Sequence, residues 1–189
     1  QHISDTVLDN MHRHVDGAWT RELIKKMRER VPGVALRTTM IVGHPGEGKR
    51  DFNELLEFAK TARFERLGAF KYSEEEGTFG AENFKDSISA RVKQERLDEL
   101  MTLQGEISLA FNQSRVGSLE KVIVDDFVDG ILVCRSEFES PEVDGEILVR
   151  PDADVIGDID PYSLVGEFLM VRVTGADEYD LIAEPVEIL

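Results

Sequence analysis

The feature that most constrains this chain is a β-rich run, Val34 to Val42, that stops in a glycine–proline turn and passes into a helix. Bounded by Gly33 and Gly43, the run reads as a buried strand. Gly43, Pro45 and Gly46 permit a tight turn and a close backbone approach to a ligand. Asp51 followed by Glu54 fits a capping box that opens a helix. In that helix Phe52, Leu55, Leu56, Ala59 and Ala62 recur at spacings of three and four. A second strand follows, Leu67 to Tyr72. Strand, helix and strand in this order predict parallel pairing. Ligands of such sheets collect at the carboxyl ends of the strands, so the turn Gly43–Glu47 is where a site is expected.

Two helices precede the strand. One spans about 5–13 behind Ser4 as N-cap, and Ile3 before the cap can pack on Leu8. The other is capped by Thr20, directs Leu23, Ile24, Met27 and Val31 inward, and stops at Pro32–Gly33. Residues 73–86 form a long polar connection, and a helix of about 89–112 follows with Val92, Leu97, Leu100, Met101, Ile107 and Phe111 broadly on one face. After Asn112 the texture changes to short β-like runs at 119–124, 130–134, 145–149, 166–174 and 181–186, separated by turn residues. Runs at this spacing predict a small antiparallel barrel.

Charge marks the same boundary. Residues 1–112 carry 17 Lys/Arg and 19 Asp/Glu, and residues 113–189 carry 5 and 19, so the net −16 divides into −2 and −14. The domains are therefore set at 1–112 and 113–189. An acidic second domain repels phosphate backbones, which makes nucleic acid a poor partner and a basic protein a good one. No run approaches the roughly 18 apolar residues of a membrane span. A lone cysteine, Cys134, excludes an internal disulfide framework and permits a cytoplasmic setting. The start, Gln1-His2-Ile3-Ser4, has neither Met nor a signal-peptide pattern and reads as a point within a longer chain.

Few residues by themselves point to chemistry. His12 and His14 are two apart and do not share a helical face, so they make a poor metal pair. His44, at the turn, is expected to face solvent. Gly46-Glu47-Gly48-Lys49 lacks the spacing of a phosphate-binding loop, and Glu47 reads as a helix-terminus charge or a ligand group. Arg37 and Thr39 face the same side of the strand. A barrel interior near a bound carboxylate or a solvated edge would each explain that polar pair. Cys134, with no second Cys or paired His nearby, reads as a small core residue.

Four stretches carry a resemblance. Gln1-His2-Ile3-Ser4-Asp5, Arg37-Thr38-Thr39-Met40-Ile41-Val42-Gly43-His44-Pro45-Gly46-Glu47, Phe70-Lys71-Tyr72-Ser73 and Glu76-Gly77-Thr78 resemble the later part of a radical-SAM methylthiotransferase. Residues 113–189, with Val116-Gly117 near the start and Asp177-Glu178-Tyr179-Asp180-Leu181 near the end, resemble the TRAM domain that closes these enzymes. The Gln-His-Ile-Ser spelling is that of the RimO-like branch, which methylthiolates the β-carbon of an aspartate in a small-subunit ribosomal protein. The tRNA-modifying (MiaB-like) branch is one alternative, and a non-enzymatic acidic protein-docking module is another.

The resemblance implies an α/β plus all-β architecture: the C-terminal part of an incomplete radical-SAM (β/α) barrel, then a five-stranded antiparallel, OB-like TRAM barrel. It implies S-adenosylmethionine and two four-iron four-sulfur clusters in the full-length protein, with the cluster cysteines upstream of Gln1. On that basis this stretch binds no cluster, holds no catalytic residue and is inactive alone. Ile41 and Gly43 fall in the strand motif beside the adenine of S-adenosylmethionine. Gln1 and Ser4 fall near its ribose and methionine moieties, Arg37 and Thr39 beside the methionyl group, and Tyr72 at the mouth. His44 departs from the usual Phe or Tyr at its turn. An incomplete barrel also leaves an open edge that invites self-association.

Overall fold

In the computed structural model, which describes residues 1–189, the chain opens with helices α1 (Asp5–Asn10) and α2 (Gly17–Arg30). Strand β1 (Arg37–Val42), helix α3 (Lys49–Ala62) and strand β2 (Arg66–Lys71) follow, then a short α4 (Phe79–Asn83) and a long α5 (Ala90–Arg115). β1 and β2 pair in parallel, Arg37 opposite Arg66 through Val42 opposite Lys71. The other edge of β1 is met by the first residue. The Gln1 nitrogen donates to the Thr39 carbonyl at 2.6 Å, and the Ile41 N–H donates to the Gln1 carbonyl at 3.0 Å. This is the exchange of a parallel bridge, so Gln1 lies level with Met40 on that edge.

The chain divides into two compact units, Gln1–Ile107 and Ser108–Leu189. The division falls inside α5, as does the boundary expected at 112 and 113. In the first unit, Met40 and Val42 of β1 pack with Phe52, Leu55, Phe58 and Ala59 of α3. The alternate residues Arg37, Thr39 and Ile41 stay partly or wholly open, so β1 is covered on one face only.

Several local expectations are corrected. α3 begins at Lys49 with Gly48 as N-cap; Asp51 sits in its first turn, and its Oδ2 accepts the Gly48 N–H at 2.8 Å. A glycine cap has no side chain, so a carboxylate three residues on reaches back instead. Ser4 is the N-cap of α1 but makes no capping bond, because its hydroxyl donates to Asp51 Oδ1 at 2.5 Å. α2 is capped by Asp16, which accepts the Trp19 N–H at 2.6 Å; Thr20 lies inside it. Of its apolar residues only Ile24 packs on the core, while Leu23, Met27 and Val31 are 39%, 39% and 53% exposed. Polar side chains take the inner face because they find partners there. Arg28 binds Glu65 and the carbonyls of Ala62 and Arg63, and Arg21 binds Glu54.

The second unit is a closed barrel of β3 (Leu119–Val128), β4 (Ile131–Arg135), β5 (Ile147–Val149), β6 (Phe168–Ala176) and β7 (Leu181–Ile188), ordered β3-β4-β5-β7-β6. Its core alternates along each strand: Val122 and Val124, Leu132 and Cys134, Ile147 and Val149, Leu169, Val171 and Val173, Leu181 and Ala183. The expectation of a wholly antiparallel barrel is corrected, because β5 and β7 pair in parallel. Parity requires it: five strands closing on themselves cannot alternate direction all the way round. Cys134 is a core residue, its thiol pushed up to about 12 by burial and then by Asp125.

Candidate functional site

A cavity of about 880 Å³ opens at the exposed face of β1 and β2. Arg37, Thr39 and Ile41 supply one wall; Gly68 and Phe70, their register partners on β2, face the same side. Gly68 meets nothing within 4 Å of where a Cβ would stand, which leaves room opposite Thr39. Gln1, Asn10, Met11, Arg13, Thr38, His44, Lys71, Tyr72 and Ser73 line the rest, and Glu75, Thr78, Phe79 and Gly80 close one side.

The turn after β1 is held by a buried carboxylate. Glu47 Oε2 accepts the N–H groups of Gly43 (2.6 Å) and His44 (3.2 Å), and Arg96 donates to Glu47 Oε1 at 2.9 Å and to its carbonyl at 3.1 Å. Burial raises the Glu47 pKa, against the opposing pull of Arg96 and the two N–H groups. Glu47 is thus a fastening of the turn and does not line the cavity. Gly43 has φ +76°, and a Cβ there would stand 2.4 Å from the Lys93 stem, so both backbone and space require glycine. Lys93 itself is tied to Asp86 at 2.5 Å and to the Tyr72 carbonyl at 3.0 Å.

Behind the turn, His2 is fully enclosed. Its Nδ1 accepts the Ser4 N–H at 3.1 Å, so the neutral ring carries its proton on Nε2, which lies 3.8 Å from Glu47 and has no hydrogen-bond partner. Burial is the main cause that lowers the His2 pKa to about 4. His44, expected in solvent, is buried. Its Nδ1 lies 3.0 Å from the Pro45 carbonyl, which can only accept, so Nε2 is left as the acceptor. Tyr72 meets His44 edge-on at 4.9 Å. A Cβ on Gly80 would stand 3.1 Å from Tyr72 Oη and 3.6 Å from His44 Nε2. The side was read as a polar connection, yet it contains α4, capped by Thr78. His12 stacks on Phe79 with ring centres 3.5 Å apart, so each ring covers a face of the other while both residues stay exposed.

Of the residues singled out from sequence, Gln1, Arg37, Thr39, Ile41, His44 and Tyr72 line this cavity together. Ser4 and Gly43 do not; they support it from behind through Asp51 and Lys93. Sequence reading passed over Asn10, Arg13, Phe79 and Gly80 as lining residues, which no periodicity or spacing separates from ordinary surface residues. No group of three or more His, Cys, Asp or Glu side chains is arranged to hold a metal. No helix is long and apolar enough to cross a membrane.

Residues 116–186 match the family model of the TRAM domain. Over 97% of its length the chain is 52% identical to the ribosomal protein uS12 methylthiotransferase RimO of Phocaeicola vulgatus, covering 41% of that protein. It is 50% identical over 99% of its length to the protein of the same name from Porphyromonas gingivalis, covering 42% of it. Among solved structures, coproporphyrinogen III oxidase (HemN) from Escherichia coli, described as a radical SAM enzyme, is similar over 57% of this chain and 25% of its own, at 21% identity and a TM-score of 0.49. The chain is therefore a homologue of the uS12 methylthiotransferases over about two fifths of their length, and it ends in a TRAM domain.

Proposed function

We propose that this chain is part of a cytoplasmic enzyme that methylthiolates the β-carbon of an aspartate in a basic small-subunit ribosomal protein by radical S-adenosylmethionine chemistry. The α/β unit holds the cofactor and the acidic barrel docks the protein substrate. The observation that carries this reading is identity of about one half, along nearly the whole chain, to relatives named for that modification.

The cavity suits S-adenosylmethionine. Ile41 and Phe70 offer an apolar wall for a base, Gln1 and Thr39 offer polar groups beside it, and Arg37 and Tyr72 bound the same space. Gly43 and Ser4 keep the wall in place. Gln1, Arg37, Thr39, Ile41, Phe70 and Tyr72 would hold S-adenosylmethionine, which would supply a 5′-deoxyadenosyl radical for hydrogen abstraction, with methionine as leaving group, given one electron from a donor outside this stretch. The four-iron four-sulfur clusters of the family do not fit the residues of this chain, whose one cysteine lies in the barrel core. On this reading the stretch is inactive alone. Its own task is to seat the cofactor and to present the substrate.

The charge of the second unit supports a basic protein partner. Residues 113–189 set 19 acidic against 5 basic side chains, which favours association with Lys/Arg-rich surfaces and opposes RNA. The test is to immobilise the chain and present purified uS12 and bulk tRNA over rising salt. Retention of uS12 that weakens with salt, without retention of tRNA, is expected. Tight, salt-sensitive tRNA binding in place of uS12 binding would turn the assignment toward the tRNA-modifying branch.

A further inference from the structure

We propose that the outer face of β4, β5 and β7, anchored on Ile182 and Tyr179, docks a Lys/Arg-rich segment of polypeptide. The inference rests on the reading above that the barrel receives a basic protein, and it assigns the face that does so. A closed barrel offers no strand edge, so a partner cannot add a strand to it and must meet side chains of an outer face.

Register gives this face an apolar row. Val133 pairs with Leu148 and Leu148 with Ile182, so the three stand in line across β4, β5 and β7. Their chain neighbours Leu132, Cys134, Ile147, Val149, Leu181 and Ala183 fill the core, which turns the row outward. Val133 and Leu148 are half-buried, and Ile182 is 50% exposed. At one end of the row the connections 136–146 and 177–180 lie side by side. The Glu146 N–H donates to Asp180 Oδ1 at 2.9 Å, and the Leu181 N–H donates to the Glu146 carbonyl at 2.9 Å. A Cβ on Gly145 would stand 1.9 Å from the Tyr179 carbonyl, so only glycine permits this approach. The second connection is also fastened from beneath, where Ser108 donates to the Glu178 carbonyl at 2.5 Å and Asn112 to the Asp177 carbonyl at 2.9 Å. Its main chain is thus held while the Tyr179 side chain stays open, at 50% exposure.

Charge selects the occupant. Residues 136–149 and 173–189 contain no Lys or Arg, and the two connections carry Glu142, Asp144, Glu146, Asp177, Glu178 and Asp180. The outer face of β3 and β6 differs. Lys121 and Arg172 stand there among Leu119 and Phe168, and Lys121 already covers the Phe168 ring at 4.2 Å. Of the other basic residues of the unit, Arg115 is buried, Arg135 is paired with Asp125, and Arg150 follows β5. A basic segment is therefore drawn to the first face and opposed at the second. Tyr179 offers a ring to a Lys or Arg head, and the apolar row takes the aliphatic stems. RNA meets the same carboxylates as repulsion, and a second copy brings an equal excess of them.

Binding of purified uS12 to the whole chain tests the assignment. Tyr179→Ser and Ile182→Ser are each expected to weaken binding about 10-fold, as buried anchors do. Asp177→Asn combined with Glu178→Gln should weaken it about 3-fold and flatten its salt dependence. Leu119→Ser and Lys121→Gln, on the other face, should stay within about twofold of wild type. Hydrogen exchange on the wild-type complex needs no variant, and uS12 should slow it in 131–149 and 177–186. Protection confined to 119–124 and 168–172, or losses confined to Leu119→Ser and Lys121→Gln, would overturn this face and leave the docking reading standing. A wild-type chain that does not bind uS12 would overturn both. Binding of bulk tRNA that Tyr179→Ser abolishes would give the face to RNA, and a doubled mass by light scattering that Ile182→Ser abolishes would give it to a second copy. Either result overturns the proposal.

Discussion

The barrel and the α/β unit treat unsatisfied surface in opposite ways. Each of the five barrel strands has a strand neighbour on both sides, so no main-chain edge is left over. In the α/β unit two strands pair, the outer side of β1 is met only by Gln1, and β2 has no further neighbour. The same contrast holds for buried polar groups. In the barrel unit Arg115 lies between Phe111 and Phe138, grips Glu120 with two donors at 3.0 and 2.6 Å, and reaches Glu139 at 2.6 Å and Ser136 at 3.0 Å. In the α/β unit His2 Nε2, Tyr72 Oη, Asp86 Oδ1 and Gln104 Oε1 are buried without a hydrogen-bond partner, against Asn112 Oδ1 in the barrel unit. A closed module is suited to present a surface, and a unit with a cavity and several spare polar groups is suited to receive a ligand.

The largest expected effect tests the closed side. Arg115→Ala strands the carboxylates of Glu120 and Glu139, and breaking a buried pair from one side costs about 3–5 kcal/mol. Urea denaturation should show that loss in the barrel. A cost below about 1 kcal/mol would mean that the network is solvated and the contrast is false.

The next test uses pH on the open side. The His2 pKa is depressed from 6.5 in the unfolded chain to about 4 in the folded unit, so between these values the unfolded state binds more protons. Stability is therefore full above about pH 6.5 and falls as pH drops through 4, by about 3 kcal/mol at roughly 1.4 kcal/mol per pH unit. Asp51 opposes the shift, while the Gln1 nitrogen, His44 and Arg96 add to it. Glu47, whose pKa is raised, takes up a proton more readily when folded and offsets part of the loss. Denaturation midpoints from pH 7 to 4 should fall more steeply in the wild-type chain than in His2→Gln. Equal slopes would remove His2 as the cause.

The smallest expected effect concerns the outer stripe of α2. Trp19, Leu23, Met27 and Val31 follow one another at spacings of four, and all are exposed. Met27→Lys should change the melting free energy by under about 0.5 kcal/mol, as surface substitutions do. A larger loss would show that this face is covered in solution, by a second copy or another partner.

Much of this was legible in the residues. The β1–α3–β2 order, the turn after β1 and the five β-like runs follow from periodicity and turn chemistry, which are local. Cys134 was placed in the core because no second Cys or paired His lies near it, and the barrel core holds it. Errors arose where a polar residue found a distant partner. Ser4 left its helix for Asp51, forty-seven residues away, and Arg28 turned α2 inward toward Glu65. α5 shows the pattern again. Its apolar face was foreseen, but Gln104, Ser108 and Asn112 share the buried side because carbonyls of Phe64, Asp177 and Glu178 await them.

What the sequence by itself determined was the succession of elements, the change of charge after residue 112, and a family resemblance. Only the tertiary structure decided which side chains meet. It turned His44 inward and made Glu47 a fastening of the turn. It also brought the connections after β4 and β6 side by side at one end of the barrel. Local spacing fixes which face of an element a residue occupies. The distances that make a site depend on contacts between segments far apart in the chain, and no periodicity encodes those.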